Sequence, residues 1–310
     1  MSIFKLVKNS KFICLINLPA LVTVVSCNPS SQPTIREIDV QAGDVTLHVR
    51  IAGDQGAEEM LIAVHGGPGN SSDYMLSLES LQSDALSVVT YDQRGTGRSS
   101  RPSEGYALLK YVQDLEAVRQ AVGSEEVHLL GHSWGGVVAM RYATVYPHRV
   151  KSIVLAGSGP PNADAAMAAQ ASLVRRINML QQMGEIAVEL PSEGKELVSA
   201  ILPAYFSDSG FRMPDELANM SFNQEVSTQT YAAIGAWDFR EGIGLLEHRV
   251  LLLWGEDDPF GSIMPEATMT ALASADVEFV ILEACGHYWH ECPQPFFSQV
   301  RSFLGLESTP

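Results

Sequence analysis

The sequence is poor in the features that mark several broad classes of protein. Only 4 of its 310 residues are cysteine, which excludes a small fold built on disulfides. Lys and Arg number 20 against 36 Asp and Glu, for a formal charge of −16, and no basic cluster stands out. A nucleic-acid partner requires the opposite balance, so none is expected. His65, His128, His132, His287 and His290 are scattered over different stretches without metal-ligand spacing. Gly66-Gly67-Pro68-Gly69 lacks the Gly-Lys-Ser/Thr ending of a phosphate loop. No internal repeat has a solenoid period. Neither a metal nor a cofactor is therefore expected. What remains is an ordinary globular composition, 46% hydrophobic and 18% charged. The length suits one large α/β domain with an insertion.

The first stretch reads as a targeting segment. Lys5, Lys8 and Lys11 form a positive region, and residues 12–25 are apolar apart from Asn17 and Pro19. That run is too short for a comfortable membrane crossing. Val24-Val25-Ser26-Cys27 resembles a bacterial lipoprotein processing box. The resemblance implies a signal peptide over 1–26, cleavage before Cys27, and acylation of the Cys27 sulfur. It also implies a protein of the bacterial cell envelope, lipid-anchored to a membrane. The alternative is an ordinary secretory signal with a chance cysteine. Residues 27–34 are polar and proline-rich, which suits a flexible tether. With Cys14 inside the signal, Cys285 and Cys292 remain, flanking His287. A disulfide between them is compatible with an oxidising compartment, and spacing alone leaves it open.

Beyond the tether, strand-like and helix-like stretches alternate. Residues 35–40, 46–51, 60–64, 87–91 and 127–130 have strand character, and 152–155, 250–254 and 277–282 read as further buried strands. Residues 108–122 read as a helix, with Val112, Leu115, Val118 and Val122 on one face and Gly123 as its stop. Residues 137–146, closed by Pro147, and 295–304 are two more. The alternation predicts a mainly parallel sheet with helices on both faces. Residues 158–247 break it with a helical pattern punctuated by Pro191, Pro203 and Pro214. This divides the fold into core (35–157), inserted helical cap (158–247) and core again (248–310). A cap over a site excludes water and reads the substrate. The alternative is a structural elaboration with no part in recognition.

Three short pieces describe one site. Gly131-His132-Ser133-Trp134-Gly135 is a G-x-S-x-G elbow, with a strand before it and a helix after it, the context that motif needs. Gly255-Glu256-Asp257-Asp258 and Gly286-His287 follow. The order Ser, acid, His is that of the α/β-hydrolases. Ser133 is the expected nucleophile and His287 the base, with His290 as its rival. Asp258 fits the acid position, with Asp257 as its rival. The acid accepts from the imidazole N–H and fixes its tautomer. His65-Gly66-Gly67-Pro68-Gly69 directly follows the strand at 60–64, where this fold builds an oxyanion hole. The expected donors are the Trp134 amide and that of Gly66 or Gly67, Gly67 being preferred. In Asp92-Gln93-Arg94-Gly95-Thr96-Gly97-Arg98-Ser99, Arg94 and Arg98 are expected to be structural, with an Asp92–Arg94 pair as one way to hold the loop and a direct substrate role as the alternative.

His65–Gly69, Asp92–Ser99 and Gly131–Gly136 together resemble the proline iminopeptidase family of serine aminopeptidases within the α/β-hydrolase superfamily. The resemblance runs roughly from residue 35 to residue 304. It implies an α/β-hydrolase fold with a helical cap, and release of an N-terminal residue from a small peptide through an acyl-enzyme. Cap glutamates hold the substrate amine in that family, and Glu225 resembles one such position, the alternative being a solvated cap glutamate with no part in recognition. Many relatives place a second glutamate directly after the triad aspartate, where this chain has Pro259. That departure favours an alternative, a carboxylesterase or lactonase on the same scaffold. A non-catalytic binding protein is disfavoured by the intact Ser, Asp and His. An epoxide hydrolase or dehalogenase is disfavoured because those relatives carry aspartate where Ser133 stands.

Overall fold

The computed structural model describes residues 34–54 and 56–306. The expected signal peptide, the lipidation site at Cys27 and residues 27–33 of the tether lie outside them. Strands β1 (Ile35–Ala42) and β2 (Val45–Ala52) form an antiparallel hairpin turned at Gly43, whose φ is +59°. Along β2, Val45, Leu47, Val49 and Ile51 are buried, while Thr46, His48 and Arg50 between them are partly exposed. That period of two marks a strand with one face on the core. By contrast β3 (Glu59–Val64), β4 (Leu86–Tyr91) and β5 (Val127–His132) are buried almost throughout, because helices cover both sides of the sheet. Leu61 and Ala63 pack into one apolar layer with Tyr74 and Phe296. Ile62 and Val64, pointing the other way, pack into the opposite layer with Tyr111 and Val138. Each fully buried Leu, Ile, Val or Phe among them contributes about 1.5–3 kcal/mol.

Helix α1 (Leu108–Ala121) buries Tyr111, Val112, Leu115 and Val118 on one face, and Gly123 follows it at φ +77°. Helix α2 (Trp134–Val145) leaves directly from β5 and stops before Pro147, which disfavours helical backbone at Tyr146. After β6 (Val150–Ala156) comes the helical insertion: α3 (Ala163–Met183), α4 (Gly194–Ile201), α5 (Asp215–Ala218), α6 (Gln224–Ile234) and α7 (Arg240–Ile243). The Asn162 side chain caps α3 by accepting from the Ala165 amide at 2.9 Å, and Gly184 ends it in the left-handed region. Leu173 and Leu180 of α3 pack with Trp254, Phe260 and Met264 of the core. The chain closes with β7 (Arg249–Gly255), α8 (Ile263–Ala271), β8 (Asp276–Leu282) and α9 (Pro293–Leu304). Among the described residues, no helix is long and apolar enough to cross a membrane.

The eight strands lie in the order β1-β2-β4-β3-β5-β6-β7-β8, antiparallel as far as β4 and parallel from there. This order positions the site. Strands β3 and β5 are neighbours, with Val64 opposite Gly131, so the loops after them leave side by side. Strands β7 and β8 are also neighbours, with Gly255 opposite Leu282, so the segments carrying Asp258 and His287 leave together. Ligands in open α/β sheets bind beyond these carboxyl ends.

Two expectations need correction. Residues 277–282 read as a buried strand, yet β8 is the sheet edge and exposes Phe279 and Ile281. An uninterrupted apolar run does not reveal which strand ends a sheet. Asp92 and Arg94 do not pair. The buried Arg94 guanidinium makes two 2.8 Å bonds to Asp114 on α1, with Asp44 at 3.5 Å. Asp92 accepts instead from the amide and hydroxyl of Ser72 and from the Arg98 amide, each at 2.8 Å. Asp114 presents both of its oxygens to the guanidinium fork, whereas those of Asp92 are taken by Ser72 and the Arg98 amide.

Candidate active site

Ser133 stands between β5 and α2 with φ 53° and ψ −120°, a conformation rare for a residue with a Cβ. It costs on the order of 1–3 kcal/mol and is held by the surroundings. The Ser133 amide donates to the Ala156 carbonyl at 3.1 Å, and its own carbonyl accepts from the Gly159 amide at 2.9 Å. The turn closes only because Gly135 is bare: a Cβ there would lie 1.9 Å from the Val64 carbonyl oxygen. The helix dipole of α2 then starts at the serine, with the Trp134 amide in its first turn free of an intrahelical partner.

His287 follows β8, and its Nδ1 lies 2.7 Å from Asp258 Oδ2, with both side chains buried. The other carboxylate oxygen, Oδ1, accepts from the Phe260 amide at 2.9 Å. With Nδ1–H donating to the carboxylate, Nε2 is left as an acceptor. Asp257, the rival acid, is exposed and accepts from the Ser207 hydroxyl at 2.6 Å. His290, the rival base, donates from Nε2 to the Tyr74 carbonyl at 2.9 Å and lies 2.9 Å from Glu216. It is a packed loop histidine.

The His287 loop is tied to the insertion. The His287 amide donates to the Tyr205 carbonyl at 2.7 Å. A Cβ on Gly286 would meet that same carbonyl oxygen at 2.3 Å, so only glycine permits the approach. Glu291 accepts from the amides of Gly286 (2.9 Å), Ser207 (2.8 Å) and Asp208 (2.7 Å). Cys285 and Cys292 form a disulfide, which settles the point their spacing left open and closes a loop around His287.

The oxyanion-hole expectation is corrected in one member. The Gly66 amide is already engaged, donating to the Tyr74 hydroxyl at 2.6 Å. Tyr74 in turn lies 2.8 Å from His132 Nδ1, and His132 Nε2 lies 3.0 Å from the His287 carbonyl. A carbonyl only accepts, so His132 carries its proton on Nε2 and Tyr74 donates to Nδ1. Burial drives the His132 pKa well below its ordinary value, and the nearby His287 adds to that. This chain joins the loop after β3, the elbow and the base loop through neutral groups. Among the described residues no hydrogen bond engages the Gly67 amide, which leaves Gly67 and Trp134 as the available pair. Gln93 fixes their surroundings. Its amide nitrogen donates to the His65 carbonyl at 2.6 Å, and its amide oxygen accepts from the Trp134 indole at 2.9 Å. Tyr74, Gln93 and Glu291 carried no distinguishing sequence signal, although Gln93 lies inside a motif singled out for its arginines.

Ser133 and His287 open into one cavity of about 550 Å³ under the insertion. Met167, Leu202, Phe260 and Met264 form apolar walls, and Asn70, Gln170 and Ser227 are polar members. No Asp, Glu, Lys or Arg is among the residues lining it. Glu225 is therefore not where the resemblance put it. It sits half-exposed, 3.0 Å from Arg101, and accepts from the Gln229 side chain. Ser227 and Tyr231, four apart on α6, line the cavity. A residue two positions from Ser227 points to the other side of the helix.

The alpha/beta hydrolase fold family matches residues 59–291 of this chain. A proline iminopeptidase of Thermoplasma volcanium is 25% identical over 265 residues, which is 80% of this chain and 89% of that protein. A proline iminopeptidase of Heyndrickxia coagulans is 40% identical over 119 residues, only 38% of this chain and 40% of that one. Among solved structures, a proline iminopeptidase of Mycobacterium smegmatis superposes with a TM-score of 0.70 at 22% identity, covering 87% of this chain and 98% of that one.

Proposed function

Since this chain belongs to the alpha/beta hydrolase fold family, we propose that it is a serine hydrolase with Ser133 as nucleophile, His287 as base and Asp258 as acid. The observation that carries this is the 2.7 Å contact of His287 with Asp258 beside a serine held at positive φ on the same cavity. In the proposed mechanism His287 Nε2 takes the Ser133 proton as Oγ attacks the substrate carbonyl. Asp258 stabilises the resulting imidazolium. The Gly67 and Trp134 amides receive the oxyanion, each donor being worth about 2.7–4 kcal/mol. His287 returns the proton to the leaving amine or alkoxide, and water then releases the acyl group by the same steps in reverse order.

For the substrate, the first reading is an aminopeptidase of proline iminopeptidase type, releasing N-terminal residues from peptides. It is supported by the relatives of that name and by the motifs at residues 65–69 and 92–99. The second is a carboxylesterase or lactonase, favoured by a cavity without carboxylates and by Pro259 after Asp258. The test common to both is covalent capture. A fluorophosphonate probe should modify the protein once, on the peptide containing Ser133, as read by mass spectrometry. Modification elsewhere with Ser133 untouched refutes the assignment.

The same proposal places the enzyme on a membrane through Cys27, a reading that rests on the pattern of residues 5–27. Protein extracted from membranes should show an acylated Cys27 as its first residue by intact mass. A soluble form starting elsewhere would overturn that part alone.

A further inference from the structure

We infer that the acyl site admits its substrate uncharged: esters or amides of apolar acids directly, and an N-terminal amino-acid residue only as the free amine. The inference rests on the acyl-enzyme reading and specifies what it acts on. No ionic side chain lines the cavity, and its polar members Asn70, Gln170 and Ser227 are neutral. An ammonium ion brought there leaves its hydration behind without a charge to replace it.

The carboxylates of the neighbourhood are committed elsewhere. Asp258 takes His287 and the Phe260 amide. Asp257 takes the Ser207 hydroxyl, Glu291 takes three backbone amides, and Glu225 faces Arg101. The titratable groups that do line the cavity are His132, His287, Tyr205, Tyr231 and Tyr288. Burial raises the phenols of Tyr205 and Tyr288, and a phenol such as that of the half-exposed Tyr231 ordinarily titrates at about 10, so none supplies a negative charge near neutral pH. His132 is held neutral by burial, with Tyr74 and the His287 carbonyl on its two ring nitrogens. His287 becomes cationic when it takes the serine proton, and so repels a cationic acyl group at the moment of reaction. Trp134, Phe222, Trp237 and Phe260 also line the cavity, and a ring face attracts a desolvated cation, but by less than stripping an ammonium of its water costs.

An α-amine has a pKa of about 8, so about a tenth of it is free at pH 7 and nearly all at pH 9. The experiment measures protection of Ser133 in the full-length protein from a fluorophosphonate probe. The competitors are prolinamide and its carbon isostere cyclopentanecarboxamide, each titrated at pH 7 and pH 9. Taking their ratio at each pH cancels any titration of the enzyme that bears on both compounds alike. The isostere should protect at concentrations at least about tenfold lower at pH 7, and the gap should shrink about tenfold by pH 9. Prolinamide protecting better at pH 7, a ratio that does not move with pH, or no protection by either compound overturns the inference. Absence of any labelling at Ser133 refutes instead the acyl-enzyme reading beneath it.

Discussion

Ser133→Ala should lower kcat by a factor on the order of 10⁶ while leaving KM and the unfolding transition close to those of the parent protein. The hydroxyl is the only group lost, and among the described residues no hydrogen bond depends on it. Alanine also suffers the positive φ at this position no more than serine does, so folding is not the variable. Adding His287→Ala to Ser133→Ala should cost little more, because base and nucleophile act as one unit. Residual activity within about tenfold of wild type would mean that another group attacks the substrate, and that the elbow geometry serves some other end.

The second large effect belongs to the acid. Asp258→Asn should cost about 10⁴ in kcat, the loss found when the corresponding acid of a serine-protease triad becomes an amide. The reason is visible in the count of donors. Two donors, the His287 Nδ1–H and the Phe260 amide, converge on the carboxylate, one on each oxygen. Asparagine has a single oxygen for both. Its NH₂ therefore faces either the Phe260 amide or Nδ1, and in the second case the imidazole proton moves to Nε2, where it blocks attack. Asp257→Asn should stay near wild type, because that side chain is exposed and among the described residues only the Ser207 hydroxyl uses it. A larger loss for Asp257→Asn in steady-state kinetics would reverse the assignment.

What the sequence made legible follows a physical line. All eight strands were readable because apolar runs and alternation are local. The elbow was readable because strand, glycine, serine and helix are contiguous, and the order of Ser133, Asp258 and His287 is a property of the chain itself. What was not legible depends on contacts distant in sequence. Glu225 failed on rotational phase: its helix, placed against Arg101 and the cavity, turns Ser227 and Tyr231 inward instead. Gly66 failed because a tyrosine eight residues later had already taken its amide. Arg94 found Asp114 across a helix packing that no motif encodes. The Cys285–Cys292 bond needed two Cα atoms at 5.6 Å, a distance a spacing of seven residues neither demands nor forbids.

The hydrogen bond from the His287 amide to the Tyr205 carbonyl bears on how this protein can be re-engineered. Tyr205 belongs to the insertion, as do Ser207 and Asp208, which Glu291 holds. Trimming residues 158–247 to make a wide-mouthed catalyst for bulky substrates would strip the base loop of these supports. The product would be a scaffold whose histidine had lost its backing, not an open version of the same machine. Sequence variation meant to enlarge the mouth therefore belongs on the wall formed by α3 and α6, with residues 202–208 kept as the support of the His287 loop.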